Sequence, residues 1–220
     1  MLPAIARVFK FYPKMIPLLP SIGLVGISIA FYASSLHKIL EMAMPADSER
    51  GYVSMRTGIM FLVLGFGEII GGYSAGDLSD KIGVQKVGTI ALASYTLAVT
   101  TSLLAVTYHE TVVPVMFAAF FWGFQEAFIQ NWITVVCSRT YKGALEAFVI
   151  NKQFHSLTMC LYELMLIVWY PPMEIIIPVL IFLVVPSVIA IPFIEEGDAP
   201  PVPIFEDKVL PIAYSEPHLR

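Results

Sequence analysis

The stretch Gly58-Ile59-Met60-Phe61-Leu62-Val63-Leu64-Gly65-Phe66-Gly67-Glu68-Ile69-Ile70-Gly71-Gly72 runs without a break toward Gly76-Asp77-Leu78-Ser79-Asp80-Lys81-Ile82-Gly83. Its first part is apolar and long enough to cross a membrane, yet Glu68 sits in the middle. Gly67 and Gly71 are four residues apart, as are Gly72 and Gly76, so each pair stacks on one helix face. Small residues at that spacing let two helix backbones approach closely in lipid, where packing drives association. The segment that follows is charged and reads as a tight loop. Gly76 and Gly83 would supply backbone angles that a side chain disfavours, and Asp80 could cap or ion-pair a neighbouring helix end.

Composition sets the class. The 220 residues are 57% apolar and only 14% charged, with a mean hydropathy of +0.76. That excludes an ordinary soluble domain. The length accommodates about six membrane helices of ~20 residues with their loops. A net charge of −4 gives no footprint for nucleic acid. Cys137 and Cys160 fall in or beside apolar segments and read as buried thiols, implying neither a disulfide framework nor a metal site.

Three regions follow. Residues 1–14 form a basic flank with Arg7, Lys10 and Lys14, either the edge of a first membrane helix or a mitochondrial import signal. Residues 15–195 read as a six-helix transmembrane bundle. Its helices are expected at about 15–35, 56–75, 87–108, 112–138, 147–170 and 173–194. Residues 36–55 read as a charged loop, and the last helix, carrying Pro178, Pro186 and Pro192, as kinked rather than broken. Residues 196–220 form an acidic, proline-rich tail with too few apolar groups to fold alone, so an ordered tail would imply a partner surface holding it.

An even number of spans places both ends of the bundle and the loops after the second and fourth helices on one side. That side collects ten of the thirteen Lys and Arg residues, against Lys38, Arg50 and Arg56 on the other. The bias puts the termini and Asp80 on the cytosolic side or its topological equivalent.

Gly76, Asp80, Lys81 and Gly83 resemble the loop between the second and third helices in each half of a major facilitator superfamily transporter. That loop reads Gly, Asp four later, a basic residue next, and Gly two further on. The preceding Gly67-Glu68-Ile69-Ile70-Gly71-Gly72 is similar to the Unc-93-like branch. In Trp122-Gly123-Phe124-Gln125-Glu126, Glu126 stands where that branch has Asp, Gln130 where it has Asn, and Gln125 where it has a second Gly. In Ala147-Phe148-Val149-Ile150-Asn151-Lys152-Gln153-Phe154-His155-Ser156, Lys152 and Ser156 coincide with the branch pattern, and His155 replaces Gln. The resemblance covers one six-helix half, most like the C-terminal one, and implies an all-α membrane bundle. Two departures weaken a transport reading: Val84 and Gln85 stand where the family continues with basic residues, and the side chains at 125 and 126 are enlarged.

Charges at membrane depth mark function or a buried pair by default. Glu68 reads as a proton or cation site or as a structural latch. Glu126 and Gln130 share a face. Lys152, His155 and Glu163 lie on one stripe, either a proton relay through His155 and Glu163 or an interior stripe in which Lys152 pairs with Glu126.

The sequence shows no nucleotide loop, nucleophile triad, metal cluster or cofactor motif, and nothing in it reads as an enzyme. Three functions stay open. One is a transport-inactive half-bundle serving as a structural or accessory subunit, with other membrane subunits and lipids as partners. The second is a transporter assembled from two half-bundles, and the third is a regulator of a channel or receptor. For the first, the basic N-terminus, small size and extended tail suit an accessory subunit of a mitochondrial inner-membrane respiratory complex.

Overall fold

The computed structural model describes residues 13–45, 48–108, 111–140, 145–169 and 171–194, apart from the side chains of Lys14 and Glu146. The basic residues before Pro13 and the tail after Ile194 lie outside the described residues, as does the expectation that the tail is held in order. After a 3-10 turn at Pro13–Leu18 come α1 (Leu19–Ser34), α2 (Leu36–Met42), α3 (Arg50–Ile82) and α4 (Val84–Thr107). Then follow α5 (Val113–Thr140), α6 (Leu145–Trp169) and α7 (Met173–Ala190), closed by a 3-10 turn at Ile191–Phe193. No strand occurs among the described residues.

Over the described residues the chain is all-α, with four stretches long and apolar enough to cross a membrane: Met15–Met42, Arg50–Ile82, Val84–Thr107 and Met173–Phe193. Helices α5 and α6 have 28 and 25 residues, so length is not what sets them apart. They carry Gln125, Glu126, Gln130 and Asn131, and Asn151, Lys152, Gln153 and Glu163, which lower their mean hydropathy. The polar candidates of the sequence therefore concentrate on two adjacent helices.

Several boundaries differ from the sequence expectation. The segment read as a loop at 36–55 is helical over Leu36–Met42 and again from Arg50. Leu36, Ile39 and Leu40 bury one face of α2 in the core, which holds it as a helix despite its charged neighbours. A polar tie joins α2 to α3: Thr57 Oγ1 and His37 Nδ1 lie 3.2 Å apart, and His37 Nε2 lies 3.2 Å from Glu41 Oε1. Helix α3 also runs through Gly76 to Ile82, so the expected loop is a single residue, Gly83. Lys81 Nζ reaches Asp77 Oδ2 one turn back at 2.7 Å, a pair that favours helix there. Gly83 has φ of 86°, the left-handed region that glycine tolerates and that lets α4 start at once. Helix α7 is continuous through Pro178 and Pro186, and Pro192 falls in the closing 3-10 turn.

Neighbouring contacts give the direction of each helix. Helices α3 and α5 run parallel, with Gly67 facing Phe120, Gly71 facing Phe124 and Asn131 bonding Gly72. Helix α4 is antiparallel to α5: Trp132 Nε1 donates to the Val84 carbonyl at 2.7 Å, and Trp122 Nε1 to Ser102 Oγ at 2.7 Å. Pro13–Leu18 packs on Ile191–Phe193, and Gln85 Nε2 donates to the Ile194 carbonyl at 2.9 Å. Both ends of the described chain therefore gather at the Gly83 end of the bundle. The centre forms where α1, α4 and α5 meet. Trp122 is fully buried there, with Phe31 at 4.8 Å and Tyr95 edge-on at 5.7 Å between ring centroids. Aromatic contacts of this kind add to the area they bury.

Candidate functional site

The glycine positions separate sharply. A Cβ on Gly67 would collide with the Phe120 carbonyl oxygen, one on Gly71 with that of Phe124, and one on Gly123 with that of Leu64. The two backbones therefore touch along two turns, with glycine on both sides of the seam. Gly72 lies at its edge, where an added Cβ would sit 3.3 Å from Asn131 Nδ2. That amide donates to the Gly72 carbonyl at 2.8 Å. Gly76 takes no part, since nothing lies within 4 Å of where its Cβ would be. The buried line continues instead through Ala75 and Ser79. A helix returns to the same face after four residues from Gly71, which is Ala75, and Gly76 is rotated past the contact.

Of the motif residues, Asp80 pairs with Arg139 at the C-terminal end of α5, where Arg139 Nη1 also approaches the Ser79 carbonyl at 3.4 Å. Lys81 stays on the surface with Asp77. Val84 and Gln85, which depart from the family pattern, act inside the bundle. The carbonyl of one holds Trp132, and the amide of the other holds Ile194.

The polar candidates of the membrane face come together only in part. Glu126 on α5 is 8% exposed and has no hydrogen bond or ion pair among the described residues. It lies within electrostatic reach of Glu68 on α3 and Lys152 on α6. Tyr32 on α1 is within reach of both carboxylates. Glu68 is half-buried and likewise makes no hydrogen bond or ion pair among the described residues. Gln130 is half-buried beside Asn131.

The expected Lys152–Glu126 ion pair does not form. Lys152 has an exposed side chain and makes no ion pair among the described residues, although it lies within electrostatic reach of Glu126. His155 packs instead against α1, where a Cβ on Gly26 would sit 3.0 Å from its Cδ2. Its Nε2 is enclosed and has no partner among the described residues. Glu163 stands eight residues further along α6, about 12 Å of helix rise, too far for a direct hydrogen bond to His155. Ser156 is exposed. Cys137 is buried as expected, but Cys160 is exposed on the outside of α6, which corrects its reading as a buried thiol.

Sequence reasoning missed Tyr32, Trp122 and Trp132. Tyr32 gives no signal in an apolar run, and the tryptophans are distinguished only by the polar atoms waiting for their N–H groups. Groups of three or more metal-ligating side chains are absent among the described residues. No family model matches the chain, and neither a curated protein nor a solved structure matches it.

Proposed function

We propose that this protein is one half of a major facilitator-type bundle, related to the Unc-93-like branch, with all six long helices crossing the membrane. In this reading it transports nothing alone and serves as an accessory subunit of a larger membrane assembly. Alternating access needs a second rigid body to rock against, and one bundle supplies one wall.

The observation that carries the reading is the use made of Val84 and Gln85. In the resemblance these positions are basic and latch one bundle against the other. Here Val84 carries no charge to latch with, and Gln85 spends its side-chain amide on the Ile194 carbonyl within a single bundle. The glycine seam between α3 and α5 supports it too, since two helices in backbone contact move as one piece. The basic flank at Arg7, Lys10 and Lys14 makes the mitochondrial inner membrane, and a respiratory complex within it, the proposed setting.

Glu68 and Glu126, unpaired among the described residues, favour a second reading, a transporter made from two half-bundles with these carboxylates lining its path. Purification of the full chain from its native membrane in mild detergent separates the two. The accessory reading expects co-purification with other membrane subunits in fixed stoichiometry. A particle containing only one or two copies of this chain would overturn it.

A further inference from the structure

We infer that the face where Tyr32, Glu68 and Glu126 converge seats a membrane-spanning helix of another protein, and that this helix carries a lysine or arginine paired with the two carboxylates. The inference rests on the accessory-subunit reading and specifies the partner's chemistry.

Charge is the first argument. Glu126 is more than nine-tenths buried, unpartnered among the described residues, and close enough to Glu68 for their charges to interact. Lys152 is the cation within reach of Glu126, and its exposed ammonium makes no ion pair among the described residues. His155 is turned into the α1 contact and Tyr32 is a neutral phenol, so the face holds two carboxylates against one loosely placed ammonium. An ionised carboxylate at membrane depth needs a countercharge, and a basic side chain from outside the bundle supplies it.

The surroundings of Glu68 select a helix over a bare ion. Gly65, one turn before it, has nothing within 4 Å of where a Cβ would be. A helix backbone can therefore approach there as closely as α5 approaches Gly67. Flanking that position, Leu62 is 75% exposed, Ile69 71% and Tyr73 85%. An apolar strip of this kind, with a gap at Gly65 and an acid beside it, suits a helix whose apolar face is broken by one basic residue.

The test places a photo-crosslinking amino acid at Phe61, two turns before Glu68 on its face of α3, and separately at Ile69, in the full chain in its native membrane. Crosslinked peptides are then mapped by mass spectrometry. We expect a peptide from an apolar span of a different protein, with a Lys or Arg within two helical turns of the crosslink. The E68Q/E126Q double variant should lose at least tenfold in co-purification of that protein at unchanged membrane abundance, whereas E41Q, at the far end of the bundle, should not. If E68Q/E126Q fails to accumulate, the partner's basic residue is changed to Gln instead, with the same tenfold loss expected. A crosslinked span lacking a basic residue would overturn the inference and leave the accessory reading standing. Crosslinks to lipid alone would likewise overturn the inference and leave the accessory reading to its co-purification test, whereas crosslinks only to a second copy of this chain would overturn both.

Discussion

Helix α3 carries two sets of glycines that differ in what surrounds them. Gly67 and Gly71 touch the backbone of α5, whereas Gly58, Gly65 and Gly76 have nothing within 4 Å of a Cβ position. The difference lies in the partner. Opposite the first set stands Gly123, whose own missing side chain lets the Leu64 carbonyl come close. The second set faces outward, and none of the described residues meets it. Spacing alone marks glycines that can pack, and only the neighbour decides which of them do.

Replacing Gly71 with leucine should break this comparison most severely. The Phe124 carbonyl cannot yield without moving α5, so the loss should exceed about 4 kcal/mol, the range of severe core damage. The variant should not accumulate in the membrane, which immunoblotting of membrane fractions would read. Normal accumulation would mean that the seam is not a packing face.

Trp132→Phe probes the other side of α5, where it packs against α4. It keeps most of the ring but leaves the Val84 carbonyl without its donor, a loss of about 1–3 kcal/mol. Thermal unfolding in detergent should show a lower Tm with unchanged helix content.

Gly76→Ala should act in the opposite direction. Its site is open and helical, so alanine should stabilise by about 0.5–1 kcal/mol through helix propensity. A drop in Tm would show that Gly76 meets something the bundle alone does not contain.

Arg139→Gln should have the smallest effect. The Asp80 side of its ion pair is largely exposed, so the loss should stay within about 1 kcal/mol and shrink further in high salt.

Much of the architecture was legible because membrane helices announce themselves through apolar runs and glycine spacing. The apolar runs put Met15, Val87 and Met173 within a few residues of helix starts or the turns leading into them, and of the two roles open to Asp80, cap or ion pair, it takes the ion pair with Arg139. The limits of the loops were not legible. Leu36–Met42 is helical because three apolar residues find the core, and Asp77–Ile82 is helical because Lys81 bonds back one turn. Which way the polar side chains of α6 point was also hidden. Lys152, His155 and Cys160 share one helix, but only its docking against α1 turns His155 inward and leaves the other two outside. Periodicity gives the relative angles of side chains on a helix, and packing sets their absolute direction.

The most direct test of the account is an electron cryomicroscopy map of the assembly purified through the full chain, read at the face where Tyr32, Glu68 and Glu126 converge. The account predicts helices of another protein, with ordered lipid filling any remaining gap against that face. An open aqueous cavity between two copies of this chain, lined by Glu68 and Glu126, would contradict it and establish the paired half-transporter in its place.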